Sequence, residues 1–129
     1  MKITKFIPLV FAGSPNTTAR ISIPFRVKTI HVKSMSYVAA TDGLNNYVCV
    51  MSDLFPGNSP FGIVNQDTTY SSGSIQDIEH QFANPIDING TYNFNIINMD
   101  GSTGATSNGG INTDWIGMIV EFNAADEIF

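Results

Sequence analysis

The sequence predicts an all-β fold, and three features of composition carry that expectation. Ile, Val and Thr together number 35 of 129 residues, and fourteen aromatics join them, the side chains that suit a pleated surface. The strong exposed-helix formers are scarce, with three Leu, three Glu and four Lys. Eleven Gly and six Pro supply many turns. The length fits one domain, and 43% hydrophobic residues suffice for a packed interior.

The strands follow from apolar runs and the turn residues between them. Residues 3–12 are apolar and stop at Ala12-Gly13-Ser14-Pro15-Asn16. Their basic start and apolar run resemble a short secretory leader, but Pro8 interrupts the run, so the first strand is expected here. Residues 17–23 alternate weakly and end at Pro24. Residues 27–39 form the longest run: Ile30 and Val32 share one face, then Met35 and Tyr37 do, so the phase slips near Lys33-Ser34 as at a β-bulge. Thr41-Asp42-Gly43 is a hairpin signal. Residues 46–54, with Tyr47-Val48-Cys49-Val50-Met51, suit a strand covered on both faces. A short strand is expected at 61–65, a polar loop over 67–74, and a strand over 75–82 with Ile78, His80 and Phe82 on one face. Asn84-Pro85 and Asn89-Gly90 are read as breaks. Tyr92, Phe94 and Ile96 then alternate with Asn93 and Asn95, the cleanest two-residue period in the chain. A Gly/Ser/Thr/Asn loop spans 100–114, and the last strand, 115–123, places Ile116, Met118, Val120 and Phe122 on one face.

Eight strands in a chain of this length allow a jelly roll, an up-and-down barrel or an immunoglobulin-like sandwich. The two long loops favour Greek-key crossings over short hairpins, and a single Cys leaves no inter-sheet disulfide. The expected fold is one eight-stranded antiparallel jelly roll over residues 1–129.

Three segments carry a resemblance: Ile-Ser-Ile-Pro-Phe-Arg-Val-Lys-Thr-Ile-His-Val-Lys-Ser-Met-Ser-Tyr at 21–37, Asn-Gly-Thr-Tyr-Asn-Phe at 89–94, and Trp-Ile-Gly-Met-Ile-Val-Glu-Phe at 115–122. In pattern and order the chain, from about residue 3 to 123, resembles single jelly-roll capsid proteins of large nucleocytoplasmic-type double-stranded DNA viruses, penton or minor capsid proteins. The resemblance implies two four-stranded sheets, strands one, eight, three and six in one, and strands two, seven, four and five in the other. That order puts the first strand on an edge, the place where Pro8 is tolerated.

Residues with chemical potential are few. His31 and His80 are far apart in sequence; adjacent strands could bring them together as a two-His metal site, against a plain reading of a surface His31 and a half-buried His80. Cys49 reads as a buried, inert thiol. No G-x-S-x-G, phosphate loop or zinc spacing occurs, and Asp100, Ser102, Asn108, Asn112 and Asp114 lack the order of an EF-hand. Asn16-Thr17-Thr18 and Asn89-Gly90-Thr91 match the glycosylation acceptor. Trp115 reads as core packing at the rim, with a sugar platform or an interface anchor as the functional alternatives. No cofactor, metal or catalytic residue is expected.

Charge order is the most informative feature. All six bases (Lys2, Lys5, Arg20, Arg26, Lys28, Lys33) fall within residues 1–33, and all eleven acids follow. The net charge of −5 argues against a dedicated nucleic-acid binder. No apolar stretch reaches the roughly 20 residues of a membrane-spanning helix. In jelly-roll order the basic first and third strands lie beside strands holding Asp77, Glu79 and Glu121. Either these charges pair across strands within one subunit, or the basic flank of one subunit meets the acidic flank of the next, a heterologous contact that closes rings. Lys28, Lys33, Asp77, Glu79, Glu121 and Trp115 are the candidate interface residues. The expected function is a non-enzymatic capsid subunit in the virion, a homo-oligomer and most simply a pentamer at icosahedral vertices, beside neighbouring capsid proteins. The rival is a carbohydrate- or receptor-binding module using Trp115, Tyr70 and the 100–114 loop.

Overall fold

A computed structural model describes residues 1–12, 14–38, 47–55, 57, 60–65, 72–98 and 113–124. Eight antiparallel strands run in chain order: β1 (Lys2–Ala12), β2 (Asn16–Ser22), β3 (Val27–Val38), β4 (Tyr47–Ser52), β5 (Pro60–Asn65), β6 (Ser72–Ile86), β7 (Asn89–Asn98) and β8 (Thr113–Ala124). One sheet has the order β1-β8-β3-β6 and the other β2-β7-β4-β5. This is the jelly-roll order that the resemblance implies. The hairpin signal at 41–43 lies outside the described residues, as do Tyr70, Asp100, Ser102, Asn108, Asn112 and most of the loops expected at 67–74 and 100–114; the described ends of those two spans, 72–74 and 113–114, are strand in β6 and β8.

The inner faces supply the core. Leu9, Phe11, Val27, Ile30, Val32, Tyr37, Val48, Val50, Ile88, Phe94, Ile116 and Phe122 are fully buried between the sheets. Alternation sets these faces, and one slip of one residue would invert them. The phase change in β3 is such a slip, absorbed by a bulge: both its pairings shift between Val32 and Ser34. Relative to β8, Lys33 is the extra residue; relative to Lys33, β6 contributes Gln76 and Asp77. Asp77 takes φ 48°, the left-handed conformation that a bulge imposes and that Asp tolerates. A second shift, between Val27 and Thr29, makes Lys28 the extra residue against β8.

Three expectations are corrected. β6 continues through Asn84-Pro85 to Ile86. It lies on a sheet edge, where Pro removes no ladder bond that a neighbour needs. Asn89-Gly90 opens β7 instead of breaking the chain, pairing with Ser22 and Ile21. The strand at 47–52 is covered on one face only: Val48 and Val50 are fully buried, whereas Cys49 and Met51 are half-buried and Tyr47 is 57% exposed.

Between strands, side chains finish the turns. Ser52, fully buried, accepts at Oγ from the Leu54 N–H (3.0 Å). Asp53 then accepts from the backbone N–H and side-chain amide of Asn93 at 2.9 and 3.0 Å, tying the turn to β7.

Candidate interaction surfaces

The outer face of the β1-β8-β3-β6 sheet divides into a charged band and an apolar patch. In the band, β3 runs between β8 and β6, so His31 lies opposite Glu121 on one side and Glu79 on the other. Glu121 receives Lys2 Nζ at 3.7 Å and Lys33 Nζ at 3.5 Å, and its Oε1 accepts from Asn123 Nδ2 at 3.3 Å. Partial burial pushes the Glu121 carboxyl up; the Asn123 hydrogen bond and the charges of Lys2 and Lys33 outweigh it, so the group lies below its ordinary value. His31 Nε2 donates to Asp77 Oδ1 at 2.6 Å. Its side chain is half-buried, not the surface histidine expected from the sequence.

The remaining bases of the third strand region are also engaged within the chain. Lys28 Nζ donates to the Ala83 carbonyl (3.1 Å), and Arg26 donates to the Pro85 carbonyl (2.8 Å). Lys28 is thereby half-buried. These two cations hold the irregular end of β6, whose carbonyls the bulged register leaves without a ladder. Of the described cations, Lys5 and Arg20 alone make no such contact. Both line a groove of about 300 Å³ between the β1 and β2 edges, with Phe6, Pro8, Ala19 and Ile21.

His80 faces the core from β6, beside Phe82 (ring centroids 4.9 Å) and Phe55 (6.4 Å). It pairs in register with inward-facing Ile30, whereas His31 faces outward. The adjacent-strand placement therefore puts the two histidines on opposite faces of one sheet, and a shared metal is excluded for this pair. Among the described residues, no group of three or more His, Cys, Asp or Glu could hold a metal ion. Asp114 lies in β8.

The apolar patch is formed by β1 and β8. Phe6 pairs with Ile119 and Val10 with Trp115 in register. Phe6, Ile119 and Trp115 are 65%, 42% and 46% exposed, while their neighbours Ile7, Met118 and Ile116 are buried. Trp115 thus stands on the outer surface; the core-packing reading fails because its phase on β8 is that of Gly117 and Ile119. A Cβ on Gly117 would fall 2.7 Å from Phe6 Cε1 and 3.1 Å from Ser36 Oγ. The Phe6 ring therefore lies across a glycine on the neighbouring strand, which only the missing side chain permits.

A second apolar patch lies on the outer face of the other sheet. Cys49 pairs with Ile63 on one side and Ile97 on the other, making a row across three strands. Ile63 is 44% exposed; Tyr47 and Met51 flank the row on β4. The two patches are on opposite faces of the sandwich. They are also displaced sideways, one toward the β1/β2 side and one toward the β5/β6 side. Sequence reading found Trp115 through its strand end but missed Ile119, which alternation on the last strand could have placed on the outer face, and Phe6, Ile63 and Tyr47, which stand in apolar runs.

No protein-family model matches the chain, and no curated protein matches it. Several solved structures are similar. The capsid of a Helicobacter pylori bacteriophage matches at 10% identity over 97% of this chain and 94% of that one, with a TM-score of 0.49. A Drosophila NLP-core, described for pentamer formation and histone binding, matches at 15% identity over 91% and 96%, with a TM-score of 0.44. A chain of the sacbrood virus of honeybee matches at 13% identity over 98% and 73%, with a TM-score of 0.40. With TM-scores below 0.5, these likenesses leave function to be argued from the chain's own surfaces.

Proposed function

We propose that the chain is a non-enzymatic capsid subunit of the virion, a single jelly roll that assembles head to tail into a ring, a pentamer at icosahedral vertices beside neighbouring capsid proteins. One observation carries the reading. Two exposed apolar patches lie on opposite faces, Phe6/Ile119/Trp115 on one and Tyr47/Ile63 with Cys49 on the other. Contiguous exposed apolar surface marks sites of association. Two different patches facing opposite ways suit a heterologous contact, which closes into a ring when the rotation allows. The resemblance at 21–37, 89–94 and 115–122 supports a capsid as the setting of that ring.

The contact divides its labour. Burying the patches supplies affinity, at about 25 cal/mol per Å² of apolar surface. The charged band sets orientation more than strength, because exposed ion pairs are worth about 0–1 kcal/mol each. Lys33 and Glu121 are joined in the chain, so their part at an interface is to present a finished polar rim beside Ile119. Asp77 and Glu79 extend that rim on β6, and Lys28 borders it.

Sedimentation of two double variants tests this. Phe6→Ser with Ile119→Ser removes one patch; Tyr47→Ser with Ile63→Ser removes the other. Each alone should give monomers, and an equimolar mixture should give heterodimers that go no further, since each pair retains one intact contact. If one double variant assembles like wild type, the contact is isologous or lies elsewhere, and the ring reading fails.

A further inference from the structure

The groove between the β1 and β2 edges has a chemistry that assembly through the apolar patches does not use. Its walls are four residues long on each strand, Lys5–Pro8 and Thr18–Ile21. Among the described residues Lys5 and Arg20 stand in it without a polar partner, while Lys2, Arg26, Lys28 and Lys33 each have one. Buried Ile7 and Ile21 form an apolar floor between the two cations. Both walls are sheet-edge strands. Edge strands offer backbone groups to an extended segment. The ligand that fits is therefore an extended peptide of about four residues carrying negative charge and apolar side chains.

This chain contains that peptide. Residues 126–129 read Asp-Glu-Ile-Phe, two acids followed by two apolar residues. Extended, four residues span about 13 Å, the length of the groove walls. The source of the segment follows from strand direction. β8 runs antiparallel to β1, from Ala12 toward Lys2, and ends at Ala124, whose N–H donates to the Met1 carbonyl at 2.9 Å. At that point the chain is heading away from Lys5–Pro8. To reach its own groove it would have to reverse at once, whereas a second copy can present the segment without a turn.

We propose that the β1/β2 groove binds residues 126–129 of a second copy of this chain, with Lys5 and Arg20 taking Asp126 and Glu127 and the apolar floor taking Ile128 and Phe129. The inference rests on the assembly reading above. It makes the groove a latch that fixes the order of subunits, and it explains why two cations of an otherwise self-paired set are left open.

Charge reversal in the full-length chain tests it. One variant carries Lys5→Glu and Arg20→Glu; among the described residues these two make no ion pair or side-chain hydrogen bond to lose, and circular dichroism with thermal melting checks that it is folded. The other carries Asp126→Lys and Glu127→Lys. Each alone should need about tenfold more protein for half-assembly than wild type, read by sedimentation. An equimolar mixture should recover most of the lost assembly, because each groove then meets a segment of opposite charge at every contact but the one that an odd-membered ring leaves unmatched. If a single chain carrying all four substitutions recovers but the mixture does not, the segment occupies its own groove and the proposal is wrong. Should wild type assemble and both variants assemble equally well, the groove is no latch although the ring stands. A wild type that never assembles removes the ring reading itself, and the latch with it.

Discussion

The two long sides of the sandwich are finished in different ways. On the β5/β6 side, the Gln76 side chain behaves as a surrogate strand: its Oε1 accepts from the Ile63 N–H at 3.1 Å and its Nε2 donates to the Ile63 carbonyl at 2.8 Å. The bulge that sends Asp77 to His31 also turns Gln76 toward β5. Behind it, Phe61 stacks on Phe55 at 4.5 Å and meets Phe94 edge-on at 6.0 Å, so this side is closed by packing as well. On the β1/β2 side no such amide bridges the edges among the described residues; a groove remains, with Lys5 and Arg20 on its walls. An exposed edge invites another chain, and proteins normally blunt it. Here one edge is blunted from within. The other carries Pro8, which removes a donor, and cations, which admit only a partner of opposite charge.

Substitutions on the closed side should separate these roles, and the largest effect is expected in its aromatic cluster. Phe61→Ala removes a fully buried ring and leaves a cavity, at a cost of about 3–5 kcal/mol in urea unfolding. A loss below about 1 kcal/mol would mean that the cluster does not close that side. Gln76→Ala should cost about 1 kcal/mol, since water can reach the Ile63 backbone groups it abandons. It should also raise the rate of aggregation, because the β5 edge is then open; unchanged aggregation would show that Gln76 guards nothing.

A smaller, pH-dependent effect is expected at Glu121 on the outer face beside the open side. Its carboxyl is held below the ordinary value in the fold. The stabilisation is therefore fully present above the unfolded-state value, about 4.3, and is lost as pH falls through the lower folded value. Glu121→Gln should cost about 0.5–1 kcal/mol at pH 7, discounted because Lys2 and Lys33 are 60% and 47% exposed. The gap between variant and wild type should narrow below pH 4.5. A gap independent of pH would assign the effect to packing.

The smallest effect belongs to Cys49. As a buried thiol it would resist reagents and tolerate Ser poorly, but it is half-buried on an outer face. Cys49→Ser should change stability by about 0.5 kcal/mol or less. Thiol labelling of the native monomer should proceed, and assembly should slow it if the Ile63–Cys49–Ile97 row is covered.

The same comparison shows what the sequence could disclose. The bulge at Lys33-Ser34 and the edge position of Pro8 were legible because each rests on a local pattern with one geometric outcome, whereas the strand order came from the resemblance to single jelly-roll capsid proteins. The continuation of β6 through Asn84-Pro85 was not, because a breaker residue is harmless on an edge and Arg26 and Lys28 hold the carbonyls there. Nor was the outward face of β4: the run from Tyr47 to Met51 is apolar at every position, and a run without alternation does not say which face is covered. The charge block was plain, but which cations stay open depends on register. Lys2 and Lys33 both meet Glu121 only because β8 lies between β1 and β3. Gln76 carried no signal, since its role comes from the facing edge of another sheet.

The central claim is a closed head-to-tail ring, and native mass spectrometry of the intact wild-type chain tests it most directly. The account predicts one discrete assembled mass, five chains, that persists on dilution until it gives way to monomer. A ladder of masses rising one chain at a time, or a monomer at every concentration, would contradict it.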